Sequence, residues 1–110
     1  MTDAREARIA RNEVLFREVN ERVREVSESI SLDQSLEIFC ECGREDCTEK
    51  LSIRVAEYEA VRSSPTRFIV KPGHQSKKVE EVTASPDGYL IVEKRGPEAE
   101  IARETDPRAQ

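Results

Sequence analysis

Three cysteines fall within eight positions, at Cys40, Cys42 and Cys47, and the only histidine, His74, follows 27 residues after the last of them. A fold for this chain has to account for those four side chains. Zinc takes four soft or borderline ligands at the corners of a tetrahedron, and three thiolates with one imidazole are a standard closed set for a structural ion. Gly43 lies just after the first pair, where a tight turn around a metal needs a flexible backbone, and Pro72-Gly73 sets a turn directly before His74. The first pair is C-x-C, whereas the commoner knuckle has two to four residues between ligands. The count of ligands therefore speaks for metal more strongly than their spacing.

Other uses of the thiols stay open at this stage. An odd number of clustered cysteines is not the framework of a disulfide-built secreted domain. Three thiols can be small buried hydrophobes, although the neighbours Glu41, Arg44, Glu45 and Asp46 are charged. They can also be redox-active, with Cys40 and Cys42 forming a strained disulfide and Cys47 resolving it, but the C-x-x-C at a helix start that usually carries such chemistry is missing. An iron–sulfur cluster usually takes four cysteines. Zinc held by all four residues would be structural, because three thiolates and a neutral imidazole leave no position for water. A catalytic ion requires His74 not to be a ligand.

The chain has 110 residues, enough for one modest core. Charged residues make up 37% and hydrophobic residues 36%, with 5% aromatic and no Trp, so the core rests on Val, Ile and Leu and metal would add cohesion that burial alone does not supply. A large enzyme with a cofactor domain is excluded. No apolar run reaches the roughly 18 residues that cross a bilayer, and Met-Thr-Asp-Ala-Arg-Glu lacks the hydrophobic stretch of a secretory signal. The expectation is a soluble, cytoplasmic protein without a membrane partner.

From Ala4 to Ile30 there is no Gly or Pro, and Ile9, Asn12, Phe16, Val19, Val23, Val26 and Ile30 recur in steps of four and three. This spacing predicts a helix of about 40 Å with a narrow apolar stripe. The stripe packs either on the protein's own domain or as the seam of a helical homodimer, in which Asn12 would fix the register. Alternation predicts strands at Leu36–Cys40 and Glu49–Ile53, with Cys40–Cys47 as the connection of a hairpin. A helix is expected over Arg54–Ser63, ending before Pro65, and a strand over Arg67–Lys71. Strands at Val79–Ala84 and Tyr89–Glu93 flank the turn Ser85-Pro86-Asp87-Gly88, and Pro97 opens a short helix to Arg103. The predicted fold is α+β: a long N-terminal helix on a small antiparallel sheet of four or five strands with a zinc-stabilised hairpin. Residues 1–30 form the helix, 31–95 the zinc-stabilised α+β domain, and 96–110 the short helix and tail.

Taken together, several phrases of the chain resemble a family of small, uncharacterised bacterial proteins. They are Leu15-Phe16-Arg17-Glu18-Val19-Asn20-Glu21-Arg22, Phe39-Cys40-Glu41-Cys42, Cys47-Thr48-Glu49, Glu57-Tyr58-Glu59-Ala60-Val61-Arg62, Val70-Lys71-Pro72-Gly73-His74, Ile91-Val92-Glu93-Lys94 and Thr105-Asp106-Pro107-Arg108. The resemblance spans nearly the whole chain and implies that the cysteine cluster and Pro-Gly-His belong to one recurring unit. It implies no catalytic residue.

Charge is unevenly distributed. Residues Ser31 to Ala60 carry eight acids and three bases, and Val61 to Lys78 carry five bases, Arg62, Arg67, Lys71, Lys77 and Lys78, with no acid. The basic segment could meet phosphate or pair with its acidic neighbour, and Tyr58 and Phe68, the aromatics available for base stacking, stand where core residues are expected. His74 is the only general base of suitable unperturbed pKa, and neither a Gly-rich phosphate loop nor a nucleophile elbow is present. The sequence thus points to a non-enzymatic, zinc-stabilised adaptor or regulatory module whose partner is another protein. A nucleic-acid-binding regulator using segment 62–78 is the first alternative, and a thiol-redox protein the second.

Overall fold

The computed structural model describes residues 4–44, 46–75, 80–85 and 88–108. The chain is α+β, with α1 (Ala4–Val26), β1 (Ser35–Phe39), β2 (Lys50–Arg54), α2 (Val55–Arg62), β3 (Arg67–Val70), β4 (Glu80–Ala84), β5 (Leu90–Lys94) and α3 (Pro97–Glu104). Each element overlaps the segment that pattern and turn chemistry predict. Lys77, Lys78, Val79 and the Pro86-Asp87 pair of the expected turn lie outside the described residues. Among the described residues no helix is long and apolar enough to cross a membrane.

Among the described residues the five strands form two sheets, not the one expected. β1 and β2 pair antiparallel with Leu36 opposite Ile53 and Ile38 opposite Leu51, and these four residues are buried. The second sheet has the order β3-β5-β4 and sets Phe68 against Val92 and Val70 against Leu90. Backbone pairing between the sheets is cut short by a side chain. The Glu41 N–H donates to the Ile69 carbonyl at 2.8 Å, but the Ile69 N–H is taken by the Glu41 carboxylate at 2.9 Å, where a continuous ladder would use a carbonyl. The sheets and α2 enclose one core, in which Tyr58, Phe68, Ile69 and Val92 are at most 1% exposed. Full burial of such side chains contributes roughly 1.5–3 kcal/mol each.

The apolar stripe of α1 does not face this core. Val19 is 37% and Val26 85% exposed, Phe16 and Val23 are half-buried, and the buried face carries Ala10, Glu13, Arg17, Asn20 and Glu21. The helix is thus rotated by about a quarter turn from the expected seating. Backbone groups beneath it explain the rotation. Arg17 donates to the carbonyls of Pro65 (2.7 Å) and Ala102 (2.9 Å), Asn12 to that of Gly43 (3.2 Å), and Asn20 both donates to the Phe39 carbonyl (2.9 Å) and accepts the Phe39 N–H (2.8 Å). Leaving a buried polar group unpaired costs about 1–3 kcal/mol, so satisfying these outweighs the loss of burial at two valines. Asn12, expected at a core position of a dimer seam, is used within the chain.

The guanidinium of Arg17 also lies 4.7 Å from the centre of the Phe68 ring, with Arg62 at 5.6 Å and Lys94 at 5.4 Å. Burial lowers the Arg17 pKa, and the charge of Arg62 adds to that, while Asp106, Glu41 and Glu21 oppose it. Lys94 is paired with Glu13 and Glu98, and Arg62 with Glu41. A paired ionic layer, not a greasy stripe, joins α1 to the rest of the molecule.

Beyond Val26 the expected helix to Ile30 gives way to i→i+3 turns, as Ser27 N–H reaches the Arg24 carbonyl and Ile30 N–H the Ser27 carbonyl. Arg24 donates to the same Ser27 carbonyl, and the tightened turn brings Ile30 against the core.

Candidate metal centre

The four residues singled out by the sequence converge. One ligand atom from each of Cys40, Cys42, Cys47 and His74 lies within 4.8 Å of all the others, and the three cysteines are unbridged and buried. His74 Nδ1 stands 3.7 Å from Cys40 Sγ and 3.6 Å from Cys47 Sγ. With bonds of about 2.3 Å to sulfur and about 2.05 Å to nitrogen, the sulfur-to-nitrogen edge of a zinc tetrahedron is about 3.6 Å. The distances from His74 Nδ1 to Cys40 Sγ and Cys47 Sγ match that edge, and the set has the composition and spacing to hold a metal ion.

Local chemistry places each ligand. Cys40 directly follows β1, and its N–H donates to the Glu49 carbonyl at 2.9 Å, continuing the ladder as the chain turns away. Gly43 then takes φ +76°, in the left-handed region. A Cβ at Gly43 would stand 2.5 Å from the Ile9 carbonyl oxygen and 2.6 Å from Glu13 Cγ, so the knuckle needs glycine for contact with α1 as well as for its turn. On the opposite side, Lys71-Pro72-Gly73-His74 has the marks of a type II turn. Pro stands second and Gly third at φ +91°, and the His74 N–H bonds the Lys71 carbonyl at 2.9 Å. That turn aims the imidazole at the cysteines, and Arg44 crosses from the knuckle to the Gly73 carbonyl at 3.4 Å.

Backbone donors face the sulfurs. Lys71 N–H donates to Cys40 Sγ at 3.2 Å, and the backbone N–H groups of Arg44 and Glu49, each two residues beyond a cysteine, point at Cys42 and Cys47. The contact between the Cys40 and Cys42 thiols pulls Cys42 down and, together with burial, pushes Cys40 up. Burial also raises Cys47. A bound cation would let the three thiols ionise side by side. Lys71 faces the same cluster. Its ammonium is held above the usual range first by Glu49, 2.8 Å away, and then by the nearby sulfurs.

Sequence patterns missed the residue that anchors this centre. Glu41, between the first two cysteines, looks like a solvated flank, yet it is 0% exposed. Its carboxylate accepts from Asn20 at 2.8 Å and from Ile69 N–H at 2.9 Å and faces the Arg62 guanidinium at 3.6 Å, tying the knuckle to α1, α2 and β3 at once. The one local hint is that a charged residue sits where both neighbours are candidate ligands.

Of the basic segment, Arg62 is buried at 3% exposure and donates to the Arg67 carbonyl, Arg67 faces Glu93 at 3.6 Å, and Lys71 pairs with Glu49. Three of the five positive charges are thus matched internally, and Tyr58 and Phe68 are core residues that offer no face for base stacking. No family model, curated protein or solved structure matches the chain, so the geometry of the centre carries the functional conclusion.

Proposed function

We propose that the protein is a zinc-stabilised interaction module, in which Cys40, Cys42, Cys47 and His74 hold one Zn²⁺ and the ion has a structural role. The convergence of all four ligand atoms within 4.8 Å of one another carries this conclusion. Softness selects the metal: three thiolates and an imidazole in a tetrahedral arrangement suit zinc better than magnesium or calcium, which prefer oxygen. The closed shell would carry a net charge of −1 beside Lys71, and it leaves no position for a reacting water, which supports a non-enzymatic role. A reducing compartment such as the cytoplasm fits, since three free thiols persist there. The module would work by presenting surface to another protein, with the metal fixing the hairpin and the His74 turn under α1.

Metal content tests this reading. Protein purified without added metal should hold one zinc per chain after dialysis, and the Cys42→Ser variant should hold much less. Wild-type protein that keeps no zinc at neutral pH and takes up none on titration contradicts it.

A further inference from the structure

The outward face of α1 has the composition of an interface and the charge pattern of one that meets itself. Leu15 is 55%, Val19 37% and Val26 85% exposed, and helical periodicity sets all three on the side opposite Arg17. Exposed charges flank them in a polarised order, with Arg8 and Arg11 towards the N-terminal end, Glu18 and Arg22 in the middle, and Glu25 and Glu28 at and just beyond the C-terminal end. None of these charges belongs to an ion pair among the described residues. A single helix gains nothing from such an order, since its macrodipole favours acids near the start and bases near the end. An antiparallel pair of the same helices brings each basic end to an acidic one.

We infer that two copies of this chain associate through the outward faces of α1, packed antiparallel about a twofold axis. Spacing along the helix fixes the register. Leu15, Val19, Arg22 and Val26 recur in steps of four and three, the spacing of a seam, and Arg11, Glu18 and Glu25 line one flank of it at seven-residue intervals. Setting Leu15 against the partner's Val19 also sets Arg11 against the partner's Glu25 and Val26 against the aliphatic stem of the partner's Arg8, and symmetry repeats every pair. Glu18 meets its own copy at the axis, and Arg22, one turn along the same helix, offsets that repulsion. A parallel arrangement would instead gather the two basic ends together and the two acidic ends together. The helix is 23 residues long, about 34 Å, enough to hold a seam running from Arg8 to Val26. Such an interface is isologous and leaves the metal centre, on the other side of α1, untouched.

Sedimentation equilibrium of the zinc-loaded full chain over a concentration series reads the result, with metal content measured separately so that failure of the interface is distinct from failure of the metal site. The expected mass is twice the 12.5 kDa of one chain. The double substitution Leu15→Glu with Val19→Glu should give a folded monomer with unchanged metal content, because both residues lie on the exposed face. Arg11→Glu should weaken association about tenfold, since symmetry counts each lost pair twice, and adding Glu25→Arg should restore it. A wild-type monomer at the highest concentration, a dimer indifferent to the glutamates, or a charge reversal that does not restore association each overturns the inference.

Discussion

Removing the metal should unfold the protein. A strong chelator at neutral pH, under reducing conditions, is expected to abolish the cooperative thermal transition, and Cys40→Ser should do nearly the same without chelator. The polypeptide from Cys40 to Glu49 contains no regular secondary structure among its described residues, and its three thiols occupy buried space within the core cluster. Without a cation, the hydrogen bond to Cys42 and burial work against ionisation of Cys40, burial works against that of Cys47, and the knuckle meets the His74 turn through the Arg44 and Lys71 contacts. Structural zinc contributes about 10–16 kcal/mol in zinc-finger peptides. A whole domain is commonly stable by about 5–15 kcal/mol, so loss of the ion removes as much as the fold has. Cys40 should be the most sensitive ligand, being 1% exposed and bonded by Lys71 N–H, and His74, only half-buried on its turn, the least. Differential scanning calorimetry with and without chelator checks this, and an unchanged transition contradicts a structural metal.

Arg17→Leu should destabilise the protein by about 3–5 kcal/mol while leaving its metal content intact. Leucine fills much of the space but strands the carbonyls of Pro65 and Ala102, and it takes away the charge that faces Asp106, Glu41 and Glu21 across the buried layer. Arg17→Lys should recover less than half of the loss, because one ammonium cannot donate to two carbonyls from a planar fork and does not stack on Phe68 in the same way. The midpoint of urea denaturation, read on zinc-loaded protein, measures both. If leucine at this position proves neutral, the polar face of α1 is not what holds the helix to the molecule.

Residue identity and short-range pattern were legible in the sequence. Metal ligation depends on which side chains are present, so three cysteines and a single histidine marked the candidate cluster in the sequence. Strand alternation likewise worked where one face meets the core, as at Leu36 and Ile38 or Leu51 and Ile53. The seating of α1 could not be read in the same way. An apolar stripe predicts the buried side only when the surface beneath is apolar too. Here that surface offers backbone groups at Phe39, Pro65 and Ala102, which lie 19, 48 and 85 residues from their partners Asn20 and Arg17. Glu41 was hidden for the same reason, since its partners Asn20, Arg62 and Ile69 come from three different elements. The split into two sheets follows from that carboxylate, which occupies a hydrogen-bonding position that a strand carbonyl would otherwise fill.

X-ray absorption at the zinc edge of the purified protein reads the coordination shell directly. Three sulfurs at about 2.3 Å and one nitrogen at about 2.0–2.1 Å are expected, with the nitrogen lost or replaced by oxygen in His74→Ala. A shell of oxygens, or one with three sulfurs that His74→Ala leaves unchanged, would contradict the joint site of Cys40, Cys42, Cys47 and His74.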